Sequence, residues 1–330
     1  MDLPVRIPTS PPRILPVEKA DTRPLWSVMI PAYNCGAYLP DTLASVLMQA
    51  PGPETMQITV VDDASTDVDV ERLVARLGAG RVGYFRQSFN VGSLRNFETC
   101  LNKSQGQLIH LLHGDDEVRP GFYEKMEELL ARFPQAGAAF SRYLSIDEYD
   151  GTTLTSDLER PDPGLLDNWL ETLACKQRIQ TPAMVVRRSV YERLGGFFGV
   201  HYGEDWEMWL RIAAHYPTAY HPDILAAYRK HADSISGQYV LTGQNIRDLK
   251  IIMGISESYF PAEQWKSIGK KAKAFYAHYA INTARNIWGR QHHRSGTFRQ
   301  IKEAFSLSVD KDIIVQSAKL CTKMMIGLKK

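Results

Sequence analysis

Three apolar runs in the first part of the chain each end in a short polar or acidic string, and this pattern strongly constrains the fold. The runs with their strings span 26–34, 56–67 and 108–117. If the runs are parallel strands, their carboxyl ends share one edge of a sheet, where open α/β folds bind ligands. Carboxylates gathered at that edge repel each other unless a cation joins them. The pattern therefore predicts a metal-dependent site for an anionic, nucleotide-like ligand.

The spacing between these runs predicts an α/β fold. Hydrophobic residues recur at helical intervals in 38–47, 70–77 and 94–101, and 82–85 reads as a further strand. Such alternation is typical of a mostly parallel sheet flanked by helices. We therefore expect an irregular, proline-rich arm at 1–24, an α/β catalytic domain at 25–238 and a basic helical extension at 239–330.

The segment from residue 136 to residue 187 has no clear period and reads as looser structure. It contains a loop at 161–164 and an amphipathic helix at 165–173. Acceptor contacts in enzymes often come from such regions.

Charge is distributed unevenly along the chain. The whole sequence has 39 Lys and Arg against 37 Asp and Glu, while residues 241–330 hold 16 against 6. The earlier residues therefore carry 23 against 31, a net charge of −8. An acidic body suits cations or polyhydroxylated substrates better than nucleic acid, and the basic end suits an anionic surface.

The basic end fits two interpretations. It could be a helical cap with solvated lysines, or it could attach peripherally to anionic lipid through the segment 313–330. In that segment Lys319, Lys323 and the terminal lysines alternate with Met324, Met325 and Ile326. No apolar stretch is long enough to span a membrane, and the four cysteines lie far apart. We expect a cytoplasmic protein, associated with the inner face of the membrane if the tail binds lipid.

Asp62 and Asp63, with the polar residues 65–67, fit two interpretations as well. Asp, Ser and Thr commonly cap the first turn of a helix, so the string could be structural. Alternatively, one carboxylate accepts the imide N–H of a uracil base while the ring of Tyr33 stacks on the face of that base.

The string from His113 to Glu117 is harder to explain by structure alone. Three adjacent carboxylates after a buried strand are costly because of desolvation and mutual repulsion, unless the loop is fully solvated. Asp115 and Asp116 offer the hard oxygen ligands that suit Mg²⁺ or Mn²⁺. Either ion would neutralise the diphosphate of a sugar nucleotide and make it a leaving group.

A further acidic string, Gly203-Glu204-Asp205-Trp206, could merely place negative charge at a helix N-terminus. In the functional interpretation, Asp205 is a general base that removes a proton from an acceptor hydroxyl. Glu204 and Trp206 then lie at the acceptor, where aromatic rings stack on sugars. By default His231 is a surface or core histidine, but as a neutral imidazole it could complete the metal shell.

Three other classes of protein share parts of this sequence pattern. The string 78–83 matches the dinucleotide pattern G-x-G-x-x-G, but it leaves a helix and enters a strand, which is the reverse of a dehydrogenase. A non-catalytic nucleotide-sugar-binding module would keep Tyr33 and Asp63 without needing Asp205. A metal-dependent nucleotidyltransferase would carry a glycine-rich basic loop after its first strand, where this chain has Pro31-Ala32-Tyr33-Asn34.

From Trp26 to Ser236 the chain resembles family 2 glycosyltransferases of the GT-A (Rossmann-like) fold. Six strings in the family's order carry the resemblance: Val28–Asn34, Val60–Asp67, Asn90–Gly92 with Arg95-Asn96, Leu111–Asp116, Gly203–Asp205 and Tyr228–His231. The resemblance implies inverting transfer from a nucleoside diphosphate sugar, expected to be a UDP-sugar, with Mn²⁺ or Mg²⁺. The implied acceptor is a glycan or lipid-linked saccharide, as in cell-surface polysaccharide synthesis.

The resemblance also implies roles for individual residues. Asp205 is the implied catalytic base, and Asp116 is the main metal ligand, joined by Asp115 and His231. The implied donor contacts are Pro31, Ala32, Tyr33, Asn34, Asp63, Asn90, Arg95 and Asp115. One departure matters: members commonly read D-x-D-D where this chain has His113-Gly114-Asp115-Asp116, so the first carboxylate is missing.

Overall fold

The computed structural model describes residues 5–17, 23–231 and 235–326, and the chain divides into two compact units. The first unit comprises Met1–Trp169 and Arg178–Lys230, and the second comprises Leu170–Gln177 and His231–Lys330. The change of unit thus falls at Lys230, eight residues before the predicted boundary. A short segment from the middle of the chain belongs with the C-terminal helices.

The first unit is built on one ten-stranded sheet. Its strands are β1 (Trp26–Ala32), β2 (Met56–Asp62), β3 (Gly83–Arg86), β4 (Leu108–Leu111), β5 (Glu117–Val118), β6 (Ala138–Asp147), β7 (Thr152–Thr155), β8 (Gly164–Leu165), β9 (Met184–Arg187) and β10 (Thr218–Lys230). The order is β3-β2-β1-β4-β9-β6-β10-β5, with β7 on β6 and β8 on β10. Pairs among β1 to β4, and β6 with β10, are parallel, whereas β5, β7, β8 and β9 pair antiparallel.

Seven helices accompany these strands along the chain. They are α1 (Leu39–Leu47), α2 (Val70–Gly78), α3 (Ser93–Lys103), α4 (Phe122–Arg132), α5 (Trp169–Cys175), α6 (Arg188–Leu194) and α7 (Glu204–His215). A 3-10 turn at Thr181–Ala183 precedes β9. The α/β alternation of β1 to β4 confirms the expectation from the apolar runs. Gly78 ends α2 and Gly83 begins β3, as the argument against a dinucleotide fingerprint required.

Two long strands were not predicted. The segment read as loose contains β6, and the pattern before His231 belongs to β10, which pairs with β6 along ten residues of each. Neither strand shows a continuous apolar run, because β6 carries Ser141 and Arg142 and β10 carries Pro222 and Asp223. Register shifts between His221 and Ala226 accommodate the interruption in β10.

The N-terminal arm packs on the first unit although residues 5–17 form neither helix nor strand. The backbone N–H groups of Gly196 and Gly199 donate to the carbonyls of Pro12 and Pro8 at 2.8 and 2.9 Å. Ile14 is 1% exposed. The arm is therefore held by backbone hydrogen bonds and by two buried residues, Pro8 and Ile14.

The second unit is helical, as its periodicity indicated. Its helices after the short middle segment are α8 (Ile235–Thr242), α9 (Gln244–Glu257), α10 (Ala262–Gln291), α11 (Arg294–Leu307) and α12 (Lys311–Met325). In α10, Ile268, Ala272 and Ile287 are buried, while Phe275 is exposed. Within the described residues no helix combines the length and the apolar composition needed to cross a bilayer.

Candidate active site

The end of β1 joins three loops at the edge of the sheet. The carbonyl of Pro31 accepts from the N–H of Gly114 at 3.1 Å, and the carbonyl of Ala32 accepts from the N–H of Asp63 at 2.8 Å. Asn34, with φ of 49°, accepts from the backbone N–H of Thr66 at 2.8 Å. Pro31, Ala32 and Asn34 thus fix the loops that follow β1, β2 and β4, and their contact with a nucleotide stays a prediction.

Tyr33 lies between these fixed residues with its ring open to solvent. It is 45% exposed, whereas Ala32 beside it is 2% exposed. An exposed aromatic ring on a backbone held from both sides offers a rigid stacking surface. This is the geometry that the predicted contact with a base requires.

Asp62 is fully buried at the end of β2, and the protein itself binds both of its carboxylate oxygens. One oxygen accepts from the backbone N–H of Ser65 at 2.9 Å. The other accepts from the hydroxyl of Tyr84 at 2.8 Å and pairs with the guanidinium of Arg86. Its bonding is structural, although it does not cap a helix, because the N-cap of the following helix α2 is Asp69.

Asp63 is 2% exposed and holds the loop before α3. Its carboxylate accepts from the backbone N–H groups of Val91 and Gly92 at 2.7 and 2.9 Å and from the amide of Asn90 at 2.9 Å. Burial raises the pKa of Asp63, while the two backbone amides oppose that rise. The carboxylate of Asp63 thus organises the loop of residues 90–92, and its predicted contact with a nucleobase stays a prediction.

Asn90 and Arg95 meet the N-terminal arm. The side-chain oxygen of Asn90 accepts from the guanidinium of Arg6, and Nε of Arg95 donates to the carbonyl of Val5 at 2.9 Å. A Cβ on Gly92 would lie 2.9 Å from Nε of Arg6, so only glycine fits there without a shift of that side chain. Sequence reasoning left the arm without function, and Arg6 carries no motif that could have revealed this contact.

The predicted metal string forms a compact cluster. One potential ligand atom from each of His113, Asp115 and Asp116 lies within 4.8 Å of the others. Asp116 is 1% exposed, and its Oδ1 accepts from the backbone N–H of Arg229 at 2.9 Å. Its Oδ2 is buried without a hydrogen-bond partner and lies 3.8 Å from Nδ1 of His113. Nε2 of His113 is also buried without one.

These orphaned atoms show that the cluster fits a divalent cation. Burial raises the pKa of Asp116 well above its usual value, the charge of Asp115 adds to the rise, and the charge of Arg229 opposes it only in part. Burial lowers the pKa of His113, which favours the neutral imidazole that binds metals. A cation would satisfy both side chains at once.

His113 was not among the predicted ligands. It occupies the position where the resembled family commonly has a carboxylate, and imidazole is itself a common ligand type. The histidine in place of that carboxylate was therefore the one feature of the sequence that could have indicated His113 as a ligand. Its ring stacks on Phe97 with centroids 5.2 Å apart, which fixes its plane.

Arg229 braces the cluster from β10. Its guanidinium pairs with Glu117 and donates to Glu148 at 2.8 Å, and its Nε donates to the carbonyl of Asp115 at 3.1 Å. These bonds position the acidic loop. His231 follows the last residue of β10, at the start of the second unit, and its role as a ligand stays a prediction.

Asp205 lies in the first turn of α7, after Gly203 with φ of 84°. Its carboxylate accepts from the backbone N–H of Trp206 at 2.7 Å. Burial raises the pKa of Tyr143 to about 12, a hydrogen bond from Gln180 opposes this, and the charge of Asp205 reinforces it. The carboxylate of Asp205 is thus close enough to act electrostatically on Tyr143 of β6.

The sheet relates this carboxylate to the metal cluster. Tyr143 pairs with Ala226 of β10, and Ala226 pairs with Val118, two residues after Asp116. Neighbouring strands are about 4.8 Å apart, so Tyr143 and Val118 are separated by roughly 10 Å. The structure therefore brings the surroundings of Asp205 and Asp116 into one region of the sheet.

The two residues predicted to flank Asp205 at the acceptor differ. Glu204 is partly exposed in the same turn and remains a predicted acceptor contact. Trp206 is 0% exposed, so its ring offers no face to a sugar. The prediction that Trp206 stacks on an acceptor sugar is therefore wrong. Trp206 lies in the first turn of α7 on the side that faces the core, and its ring packs there.

Comparisons with known proteins agree with this architecture. The family model described as glycosyl transferase family 2 matches residues 27–195. An uncharacterised glycosyltransferase of Haemophilus influenzae is 25% identical over 224 residues, covering 66% of this chain and 68% of the relative. A putative teichuronic acid biosynthesis glycosyltransferase, TuaG of Bacillus subtilis, is 30% identical over 156 residues, covering 45% of this chain and 58% of the relative.

Among solved structures, TarS 1–349 of S. aureus in complex with UDP-GlcNAc superposes with a TM-score of 0.64. It is 12% identical in sequence, and the match covers 92% of this chain and 89% of TarS 1–349. That likeness shows a shared fold, and the family match spans more than half of the chain. The chain belongs to glycosyl transferase family 2 and is a glycosyltransferase.

Proposed function

We propose that this glycosyltransferase moves a sugar from a UDP-sugar to a hydroxyl of a glycan or lipid-linked saccharide, with inversion at the anomeric carbon. The observation that carries the proposal is the cluster of His113, Asp115 and Asp116, in which the buried Oδ2 of Asp116 has no hydrogen-bond partner. The complex of TarS with UDP-GlcNAc supports UDP as the nucleotide, and the name of TuaG supports cell-surface polysaccharide synthesis.

His113, Asp115 and Asp116 would hold a divalent ion, with His231 as a further candidate. When bound, the ion would supply positive charge to the diphosphate as it leaves. An imidazole ligand makes Mn²⁺ a better fit than Mg²⁺, whose ligands are oxygens. The cluster therefore supports a manganese-preferring site.

The remaining groups act directly on donor and acceptor. Tyr33 stacks on the base, and Asp63 holds the loop of Asn90 that borders the base site. Asp205 takes the proton from the acceptor hydroxyl as that oxygen attacks the anomeric carbon from the face opposite the diphosphate. This is a single displacement in which no residue of the chain becomes covalently bound to the sugar.

Turnover of the Asp205→Asn variant tests this assignment. The protein is incubated with a panel of UDP-sugars and Mn²⁺, and UDP release is measured with and without saccharide acceptors. We expect the Asn variant to lose roughly 100- to 10,000-fold in kcat, the usual contribution of a general base. Its affinity for UDP should match that of the wild type.

Asp223→Asn is the matched control, because Asp223 is an exposed acid on β10 whose pairing with Lys125 is a surface ion pair. It should retain full turnover. Near wild-type turnover of the Asp205→Asn variant would remove Asp205 from the mechanism. Failure of the wild-type protein to release UDP from any donor in the presence of acceptor would overturn the proposed reaction.

A further inference from the structure

The exposed face of α11 combines two aromatic rings with two cations. Arg294, Phe298, Lys302 and Phe305 follow one another at spacings of four, four and three residues, which place them on one side of a helix. Phe298 is 52% exposed and Phe305 is 37% exposed, and both cations are exposed as well. Within the described part of the chain, neither Arg294 nor Lys302 forms an ion pair. Together these four residues form the α11 face.

A cationic pocket borders the α11 face. It has a volume of about 410 Å³ and is lined by Thr242, Arg247, Arg299, Lys302 and Glu303. Three of these five side chains are cations, and the single carboxylate accepts from Arg247 at 3.0 Å. A net positive pocket of this size suits a phosphate group.

We propose that the α11 face docks on an anionic phospholipid bilayer, with Phe298 and Phe305 entering the interface and the adjoining pocket receiving a lipid phosphate. Phenylalanines that enter the interface gain apolar burial, and the neighbouring lysine and arginine are attracted to anionic headgroups, which are the two contributions that bind proteins to anionic membranes. The charge matches the partner, because residues 241–330 hold 16 Lys and Arg against 6 Asp and Glu. A purely polyanionic glycan would match the cations but would leave both phenylalanines in water.

This surface differs from the one that the sequence suggested. In α12 and the residue that follows it, Ile313, Leu320 and Met324 are buried in the second unit, while Ile314, Met325 and Ile326 are exposed. Part of the segment 313–330 therefore belongs to the core, and lipid binding through its exposed side stays a prediction. Residues 327–330, including two of the lysines, lie outside the described residues. Deleting 313–330 would remove part of the core, and substitutions on the α11 face give a cleaner test.

Vesicle sedimentation of the full chain tests the proposal. Vesicles of phosphatidylcholine alone are compared with vesicles that also contain phosphatidylglycerol. We expect the wild-type protein to bind the anionic vesicles, and binding to weaken in about 0.5 M NaCl because salt screens the surface charge. Replacing Arg294 and Lys302 by Gln should lower the partition coefficient about thirtyfold. Replacing Phe298 and Phe305 by Ser should lower it about tenfold.

Matched controls come from other helices of the second unit. Lys270→Gln with Lys273→Gln makes the same charge change at exposed positions of α10, and Ile251→Ser with Phe275→Ser removes exposed apolar side chains elsewhere. Both control proteins should bind like the wild type. The Asp205→Asn variant should bind fully too, because docking is independent of the proposed reaction, and this separates failure of one proposal from failure of the other.

Several results would overturn the docking proposal. One is equal binding by the α11 variants and their controls, and another is equal binding of the wild type to neutral and anionic vesicles. A concentration-dependent dimer that Phe298→Ser with Phe305→Ser converts to a monomer, without vesicle binding, would make the face a contact between two copies. Binding of soluble polyphosphate through Arg294 and Lys302, again without vesicle binding, would assign the face to a polyanion.

Discussion

Asp62–Asp63 and Asp115–Asp116 both follow strands of the same sheet, and they differ in what their oxygens bind. Asp62 and Asp63 bind backbone amides, a tyrosine hydroxyl and a guanidinium. Asp116 is as deeply buried, but its Oδ2 has no partner. The first pair therefore serves mainly as scaffold, whereas the second leaves one buried oxygen for the cation that we propose.

His110 and His113 show the same difference between a fully bonded and an incompletely bonded polar side chain. His110, in β4, has both ring nitrogens bonded, to the hydroxyl of Tyr123 at 3.2 Å and to the carbonyl of Pro182 at 3.0 Å. His113 has one buried nitrogen without a hydrogen bond. Burial alone does not distinguish structural from functional polar groups; the completeness of their hydrogen bonding does.

The largest expected effect is on metal affinity. Asp116→Asn should weaken Mn²⁺ binding about a thousandfold, since even partners that only orient metal ligands are worth about 10- to 100-fold. The measurement is calorimetric titration of the protein with Mn²⁺ in the presence of UDP. Asp62→Asn, at the bonded pair, should leave the Mn²⁺ affinity close to that of the wild type. A similar loss of affinity in both variants would show that the two pairs do not differ in metal binding.

The free energy of unfolding should depend more on the bonded pair Asp62–Asp63 than on Asp116. Asp63→Ala leaves the N–H groups of Val91 and Gly92 and the amide of Asn90 without an acceptor, which should lower the free energy of unfolding by about 3 kcal/mol. Asp116→Ala should lower it by at most about 1 kcal/mol in EDTA, because it removes one hydrogen bond. Urea unfolding of both variants measures this, and equal losses would refute the distinction between scaffold and cation site.

A third prediction concerns His113. His113→Phe keeps the ring that stacks on Phe97 but removes the nitrogens, and we expect Mn²⁺ affinity to fall about tenfold. His113→Asp supplies oxygen ligands and should shift preference toward Mg²⁺. Competition between the two ions, followed by the electron paramagnetic resonance signal of free Mn²⁺, gives the preference directly. If the Phe variant binds Mn²⁺ as the wild type does, His113 is not a ligand.

The smallest expected effect is on the pH dependence of stability. Burial lowers the pKa of His110 to about 3, while an unfolded imidazole titrates near pH ~6.5. Between these values the unfolded chain binds a proton that the folded chain does not, so stability falls as the pH is lowered through this window. The slope is at most about 1.4 kcal/mol per pH unit.

Replacing His110 by Gln should remove that part of the slope. Urea unfolding of the wild type and the His110→Gln variant at several pH values below about 7 measures the difference. Parallel curves would show that His110 does not stay neutral in the folded protein. The hydrogen bonds to both of its ring nitrogens would then not mark His110 as a structural histidine in contrast to His113.

The apolar runs predicted β1, β2 and β4 closely, because each of these central strands is buried on both faces and needs few polar residues. They could not predict β6 and β10, whose polar positions and register shifts break any short-range period. The acidic strings were found for a related reason. Residues that follow central parallel strands must lie at one edge, whatever the rest of the chain does.

The sequence by itself determined the α/β class, the family and the strings that form the candidate site, since these depend on local patterns and their order. Tertiary structure alone decided which carboxylates are bonded by the protein. The partners of Asp63 lie 27 to 29 residues away, and the backbone N–H of Arg229 that reaches Asp116 lies 113 residues away. It also placed Trp206 in the core and set the N-terminal arm against Asn90. Such contacts depend on the packing of elements that are distant in the sequence, and the local periodicity of hydrophobic residues does not indicate them.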